Sequence, residues 1–181
     1  MKNLTFFITF TLFIFSLTAQ KAIDKNPDWK VGAIKTFKEN KIKRVEGTNA
    51  GKTITNITYR SLKQLIAEVN EGSLRGDAKK KQIKKHKDYA KGWIVVFYIN
   101  REKSSAANLK NYTLIAKDNS GKEIYKRTYK DRAAKANDKI GGWDNSKNFE
   151  IKEDVEKPFI IEIHEKLSTG KSSVYTFEIF E

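Results

Sequence analysis

Hydrophobic and polar residues alternate along most of the second half of the chain, which predicts a succession of β-strands. The segment Trp93–Ile99 (WIVVFYI) is apolar at every position, as is typical of a central strand covered on both faces. Asp118–Gly121 (DNSG) supplies the residues of a hairpin turn. The other strands predicted in this half are Tyr112–Lys117, Lys122–Lys130, Asn148–Lys152, Phe159–Glu165 and Ser172–Phe180.

The first half of the chain mixes strand patterns with helical ones. Alternation or β-branched residues predict strands over Trp29–Phe37, Ile42–Glu46 and Lys52–Tyr59. The clearest helix follows, because one apolar stripe recurs at the helical spacing i, i+3, i+4 and i+7. The residues of this stripe are Leu62, Leu65, Ile66 and Val69.

Sequence signals also predict where this helix begins and ends. Ser61 followed three residues later by Gln64 fits a capping box, in which each side chain satisfies a backbone N–H of the other residue. Gly72 stands where a glycine commonly ends a helix. The helix is therefore interpreted as a structural element that packs on the core.

The segment Asp77–Lys91 (DAKKKQIKKHKDYAK) is harder to interpret. Asp77 is a candidate N-cap and Gly92 a candidate C′ residue, which favours a helix. Its apolar residues are few, however, and the lysines near its start oppose the helix dipole. Two interpretations stay open, a weak solvated helix and a mobile loop.

Together these patterns predict a mainly β protein with one or two helices, folded as a two-sheet antiparallel β-sandwich, immunoglobulin-like or similar. Apolar residues make up 39% of the chain and aromatic residues 12%, which is enough for a core despite 32% charged residues. We expect a single β-rich domain over residues 20–181. Its lysine-dense strand and helix part covers 20–91, and its strand-rich part covers 92–181.

The first nineteen residues have the pattern of a secretory signal peptide. Lys2 precedes a short apolar run, Leu4–Leu17, and a small residue, Ala19, follows it. The run is short for a membrane-spanning helix, which needs about 20 apolar residues. We expect cleavage after Ala19, with cleavage after Ala22 and an uncleaved anchor as alternatives. The prediction is export to the periplasm, the cell surface or the medium.

The formal net charge of +14 and the absence of cysteine narrow the classes of function. A protein this basic is attracted to anionic partners. Without cysteine, disulfides, thiolate metal sites and cysteine nucleophiles are excluded. Export would place nucleic acid out of reach. The partners that we expect are anionic polysaccharide, lipopolysaccharide or an acidic protein, with an anionic membrane surface as a further candidate.

One lysine run is the strongest candidate for binding such a partner. Lysine clusters bind polyanions through counterion release. The alternative is that the lysines form a solvated surface that binds no ligand. The candidate anion-binding residues are Lys79, Lys80, Lys81, Lys84, Lys85 and Lys87.

A second candidate site is the loop Gly141–Asn145. Trp143 could stack on a sugar ring while Asp144 and Asn145 bind its hydroxyl groups. The alternative is an ordinary inter-strand loop whose tryptophan folds back on the core. No segment matches a catalytic or metal-binding motif, so no catalytic residue, metal ligand or cofactor is assigned.

The sequence thus supports an exported, non-enzymatic binding or accessory domain that engages an anionic partner through a basic patch. One alternative is a carbohydrate-binding or carbohydrate-processing β-sandwich that uses the Gly141–Asn145 loop. Another is a structural or envelope-assembly component whose sheet edges or loop surfaces pair with another protein.

Overall fold

The computed structural model describes residues 30–37, 40–47, 53–89, 93–151 and 155–180. The predicted signal peptide, Lys91 and Gly92 lie outside these residues. One sheet contains the strands β1 (Ile34–Phe37), β2 (Asn40–Glu46), β5 (Tyr112–Lys117), β6 (Glu123–Thr128), β9 (Phe159–Lys166) and β10 (Ser172–Phe180). The other contains β3 (Ile54–Ser61), β4 (Trp93–Arg101), β7 (Lys135–Ala136) and β8 (Trp143–Ile151). The helices are α1 (Leu62–Glu71), α2 (Gly76–Tyr89) and a 3-10 turn at Leu109–Asn111.

The two sheets are antiparallel and form a β-sandwich, as the sequence predicts. The six-stranded sheet has the order β1-β2-β10-β9-β5-β6, and the four-stranded sheet has the order β3-β4-β8-β7. Every strand pair within the described residues is antiparallel. Both helices lie in the N-terminal part, between β3 and β4.

Strand β4 is central in its sheet and buried on both faces, which confirms the interpretation of its continuous apolar run. Its odd-numbered residues, from Trp93 to Ile99, belong to the main core between the sheets. On the opposite face Val96 and Tyr98 are buried as well, with Ile54 and Ile94 packed against them. Burying both faces removes more apolar area from water than burying one face, which stabilises this strand in the centre of the sheet.

Aromatic residues join the two sheets across the core. The ring of Trp93 on β4 stacks on Phe159 of β9, with 4.3 Å between ring centroids. At the other side of the core, Tyr125 of β6 meets Phe149 of β8 edge to face at 4.7 Å. Both pairs cross from one sheet to the other, so the aromatic residues that alternation places on inward faces do hold the layers together.

The helical predictions are confirmed with two corrections. The Ser61 Oγ accepts a hydrogen bond from the Gln64 backbone N–H at 3.2 Å, and the Gln64 side chain accepts from the Ser61 N–H at 3.0 Å, so the capping box is present. Gly72 does follow the helix, but its backbone, with φ of −72° and ψ of 179°, is extended rather than left-handed. The segment Asp77–Lys91, for which a helix and a mobile loop were both considered, contains the helix α2. It begins at Gly76, so Asp77 lies in the first turn and is not the N-cap.

Strand β8 begins earlier than the sequence predicts. The expected strand started at Asn148, whereas the observed one starts at Trp143 and runs along the whole of β4. Trp143, Asp144 and Asn145 are therefore strand residues, and the turn before them is made by Gly141 and Gly142 with φ of 77° and 81°.

Candidate anion-binding surface

Helix α2 presents most of the candidate lysines to solvent. Five of the six are exposed, and they are Lys80, Lys81, Lys84, Lys85 and Lys87, here called the lysine face. At 3.6 residues per turn they cover an arc of about 160° around the helix axis. The sixth, Lys79, is half-buried, and its Nζ donates to the carbonyl oxygen of Asn70 on α1 at 3.4 Å. The structure thus separates Lys79 from the other candidates.

The cations of the lysine face have few protein partners. Lys80 Nζ lies 3.7 Å from a carboxylate oxygen of Asp77, and both side chains are almost fully exposed. An exposed pair of this kind is screened by solvent and yields easily to another anion. The side chains of four others, Lys81, Lys84, Lys85 and Lys87, form no hydrogen bond or ion pair with the residues that the structure describes. Their charges are therefore available to an external anion.

The opposite side of α2 faces the protein, and Lys79 is its one lysine. Gln82, Ile83 and His86 are half-buried there, and the Gln82 side chain lies 3.0 Å from His86 Nε2. Burial lowers the pKa of His86, and the neighbouring charge of Lys85 lowers it further, against the opposing effect of Glu68. His86 is consequently neutral at pH 7, and the positive charge of α2 is confined to the lysines.

Helix α1 provides the support for α2. Leu65 and Val69 are the buried residues of α1. On its polar side Glu68 lies 3.2 Å from Arg60 of β3, with both side chains mostly buried. Asn40 of β2 donates from Nδ2 to the side-chain oxygen of Gln64 at 2.8 Å. Because α1 is tied to two strands and α2 packs on α1, the lysine face has a fixed position on the sandwich.

The residues of the second candidate site are engaged inside the protein. Trp143 is half-buried and packs against the main core. Asp144 is buried, and its two carboxylate oxygens accept hydrogen bonds from Asn100 at 2.6 Å and from Asn137 at 2.5 Å. Asn145 is also buried and donates to the carbonyl oxygen of Ala107 at 3.1 Å. These side chains fasten the turn and β8 to neighbouring segments, and they do not converge on an open groove.

A buried polar cluster that the sequence analysis did not identify joins the two sheets. Arg101 at the end of β4 donates to Glu165 of β9 through Nε at 3.0 Å and Nη2 at 2.8 Å. Glu165 also accepts from the hydroxyl groups of Tyr112 at 2.9 Å and Tyr175 at 3.0 Å. Each of these side chains is at most 5% exposed. The cluster is closed to solvent, so it is structural in character.

A signal for this cluster was present in the alternation. Arg101 continues the inward face of β4 two residues after Ile99, and Glu165 continues that of β9 two residues after Ile163. Both positions predict burial, and two opposite charges at buried positions predict a pair. On the outer face of β9, Glu162 binds the His164 ring at 2.8 Å and Lys117 at 2.5 Å. That group is a hydrogen-bonded surface cluster with a single carboxylate.

Nothing in the described ranges indicates a metal or membrane-spanning site. No group of three or more His, Asp or Glu side chains there could hold a metal ion. None of the helices in those ranges is long and apolar enough to cross a bilayer. Comparison of the sequence with protein-family models finds no matching family, and comparison with curated proteins finds no similar sequence.

Proposed function

We propose that this protein is an exported binding domain that holds an anionic polysaccharide on the lysine face of α2. The observation that carries the proposal is the exposure of five lysines on one side of a helix, four of them without an ion pair among the described residues. The five ammonium groups outnumber the two exposed aspartates within the same arc of the helix, Asp77 and Asp88, so this side of α2 keeps a net positive charge. A polyanion that binds there releases its condensed counterions, which is the main source of affinity for such ligands.

The composition of the lysine face favours a polysaccharide over other polyanions. Protein interfaces concentrate their energy in aromatic and arginine anchors, and the lysine face has neither. Single-stranded nucleic acids stack their bases on aromatic side chains, which are also missing from it. Insertion into a membrane needs apolar residues, but Ile83 lies on the opposite, half-buried side of the helix. A linear chain of sulfate, phosphate or carboxylate groups requires only the point charges that lysine provides.

The proposed signal peptide fits this function, because acidic polysaccharides and the sugar-phosphate part of lipopolysaccharide lie outside the cytoplasm. The carbohydrate-processing alternative has less support. Its favourable sign would be an exposed Trp143 between convergent acids, whereas the side chains of Trp143 and Asp144 contact the core and neighbouring turns.

The experiment is elution of the purified chain, residues 20–181, from immobilised heparin and from immobilised polygalacturonate in a salt gradient. One variant changes the five residues of the lysine face to Gln. A matched control changes five exposed lysines that lie elsewhere to Gln, so that both variants lose the same charge. The control residues are Lys30, Lys63, Lys103, Lys166 and Lys171.

We expect the lysine-face variant to elute at clearly lower salt than the control variant, because clustered charges release more counterions than scattered ones. Equal elution of the two variants on both matrices would contradict the proposal, since it would reduce the binding to net charge. Retention on anionic lipid vesicles but not on either polysaccharide would instead favour a membrane surface.

A further inference from the structure

We infer that the protein is divalent and can bridge two anionic polysaccharide chains, with the lysine face as one site and a second basic surface as the other. This inference rests on the proposed function and extends it. The second surface is the segment from Lys122 to Lys139, here called the basic crossover, which leads from the turn before β6 to the turn after β7. It carries seven basic residues against three acidic ones.

The charges of the basic crossover are largely available to solvent. Six of its seven cations are exposed, and they are Lys122, Lys126, Lys130, Arg132, Lys135 and Lys139. The seventh, Arg127, is half-buried with its guanidinium 5.6 Å from the centre of the Tyr129 ring. One of the three acids, Asp131, is already paired with Lys110 at 2.7 Å. With seven basic and three acidic residues, the basic crossover has a net charge of +4. Helix α2 has the same net charge, because it contains six lysines and two aspartates over Gly76–Tyr89.

The backbone of the basic crossover is held by specific contacts. The Arg132 N–H donates to the side-chain oxygen of Asn108 at 3.2 Å, and the Arg132 carbonyl oxygen accepts from Asn145 at 3.0 Å. Lys135 and Ala136 then pair with β8 as the short strand β7. A fixed backbone keeps these cations at defined positions on the protein, as α1 does for the lysine face.

The two basic surfaces lie at opposite edges of the sandwich. The helix pair is attached to β3, the first strand in the order β3-β4-β8-β7, and the basic crossover leads from β6, the edge strand of the six-stranded sheet, to β7, the last strand of the four-stranded one. Tyr125 of β6 contacts Phe149 of β8, the neighbour of β7, so β6 and β7 lie on the same side. Three inter-strand spacings of about 4.8 Å separate these edges by about 14 Å. The Debye length at physiological salt is about 8 Å, so each surface binds its own stretch of anions with little influence on the other. Two independent sites at separate edges of the protein are the requirement for bridging.

The test is a two-layer capture assay with heparin as the probe. Biotinylated heparin is fixed to a surface, the protein is bound and washed, and soluble fluorescent heparin is then added. The variants are the lysine-face variant and a crossover variant with Lys122, Lys126, Lys130, Lys135 and Lys139 changed to Gln. The scattered five-lysine variant is the control for charge, and light scattering of each protein excludes bridging by a dimer.

We expect the wild type and the scattered control to capture the second heparin layer. Both single-surface variants should bind the first layer and lose most of the fluorescence of the second. Full second-layer capture by the crossover variant as a monomer would overturn the divalent inference and leave the proposed function intact. Equal first-layer binding and equal salt elution of all variants would overturn the proposed function itself, because neither surface would then act as a site.

Discussion

The carboxylate of Glu165 in one sheet is bound by the guanidinium of Arg101 in the other, at 2.8 and 3.0 Å, with both side chains 4% exposed. The same guanidinium donates to the Ile54 carbonyl oxygen at 2.6 Å and to Thr55 Oγ1 at 2.7 Å. Every charge in the pair is thus matched by a hydrogen-bonding partner, which is the condition under which a buried ion pair is tolerated. In a protein without disulfides, this pair is a polar link between the two sheets.

A double-mutant cycle on this pair should show strong coupling. Arg101→Met and Glu165→Met each leave the opposite charge buried and unmatched, so each should lower the free energy of unfolding by about 3–5 kcal/mol. The double variant should cost much less than the sum, because it leaves no isolated charge. Urea unfolding of the four proteins measures this difference. Costs that simply add would show that the two residues act independently.

Low pH should decrease the free energy of unfolding, because it protonates the carboxylate of Glu165. Burial alone would raise the pKa of Glu165, but the hydrogen bonds and charge of Arg101, together with two tyrosine hydroxyls, hold that pKa below its ordinary value. The folded pKa is thus lower than the unfolded one, which is about 4.3. The stabilisation is complete above the unfolded pKa and is lost as the pH falls through the folded pKa.

The measurement is the free energy of unfolding by urea between about pH 6 and pH 2.5, for the wild type and Glu165→Gln. The wild type should lose stability steeply below about pH 4.3, and Glu165→Gln, which is less stable at pH 6, should lose less over the same range. Glu123→Gln removes a carboxylate from an exposed position and controls for the loss of one negative charge. Parallel curves for the wild type and Glu165→Gln would rule out this role.

Most of the fold could be predicted because its signals are local. The continuous apolar run of β4 and the alternation of β9 and β10 each need one short window of sequence, and the Ser61–Gln64 capping box needs four residues. The start of β8 could not be found in this way. Its first residues, Trp143–Lys147 (WDNSK), are mostly polar, and Asn145 points inward only because carbonyl groups at Ala107 and Arg132 accept its hydrogen bonds.

The candidate anion-binding site could also be predicted only in part. The lysine run is visible in the sequence, but the geometry of the helix decides which of its lysines are exposed. Lys79 falls on the side facing α1, which required knowing that the segment is a helix and where its neighbour lies. The basic crossover escaped detection because its cations are spread over eighteen residues of strand, turn and coil, and only the packing of β6 against β8 brings its two ends to one side of the sandwich.

The two consecutive glycines before β8 should respond very differently to alanine. Both have φ near +80°, which costs a residue with a Cβ about 1–2 kcal/mol. A Cβ on Gly141 would meet nothing within 4 Å, whereas one on Gly142 would lie 2.7 Å from the backbone oxygen of Arg101. Gly142→Ala should therefore cost about 1–3 kcal/mol more than Gly141→Ala, because the clash is with backbone and cannot relax by a side-chain rotation. Chemical denaturation compares the two, and equal costs would contradict this difference.

Trp143 distinguishes the proposed function from its alternative. Its ring packs against the core, so Trp143→Ala should lower the free energy of unfolding by about 2 kcal/mol, less than the 3–5 typical of a fully buried ring. The heparin elution of the folded variant should match that of the wild type, because the change removes no charge from either basic surface. Trp143→Phe, which keeps an aromatic ring, should recover part of the stability. The opposite result would be a Trp143→Ala protein with wild-type stability that no longer binds a neutral oligosaccharide recognised by the wild type. That result would favour the carbohydrate-binding alternative.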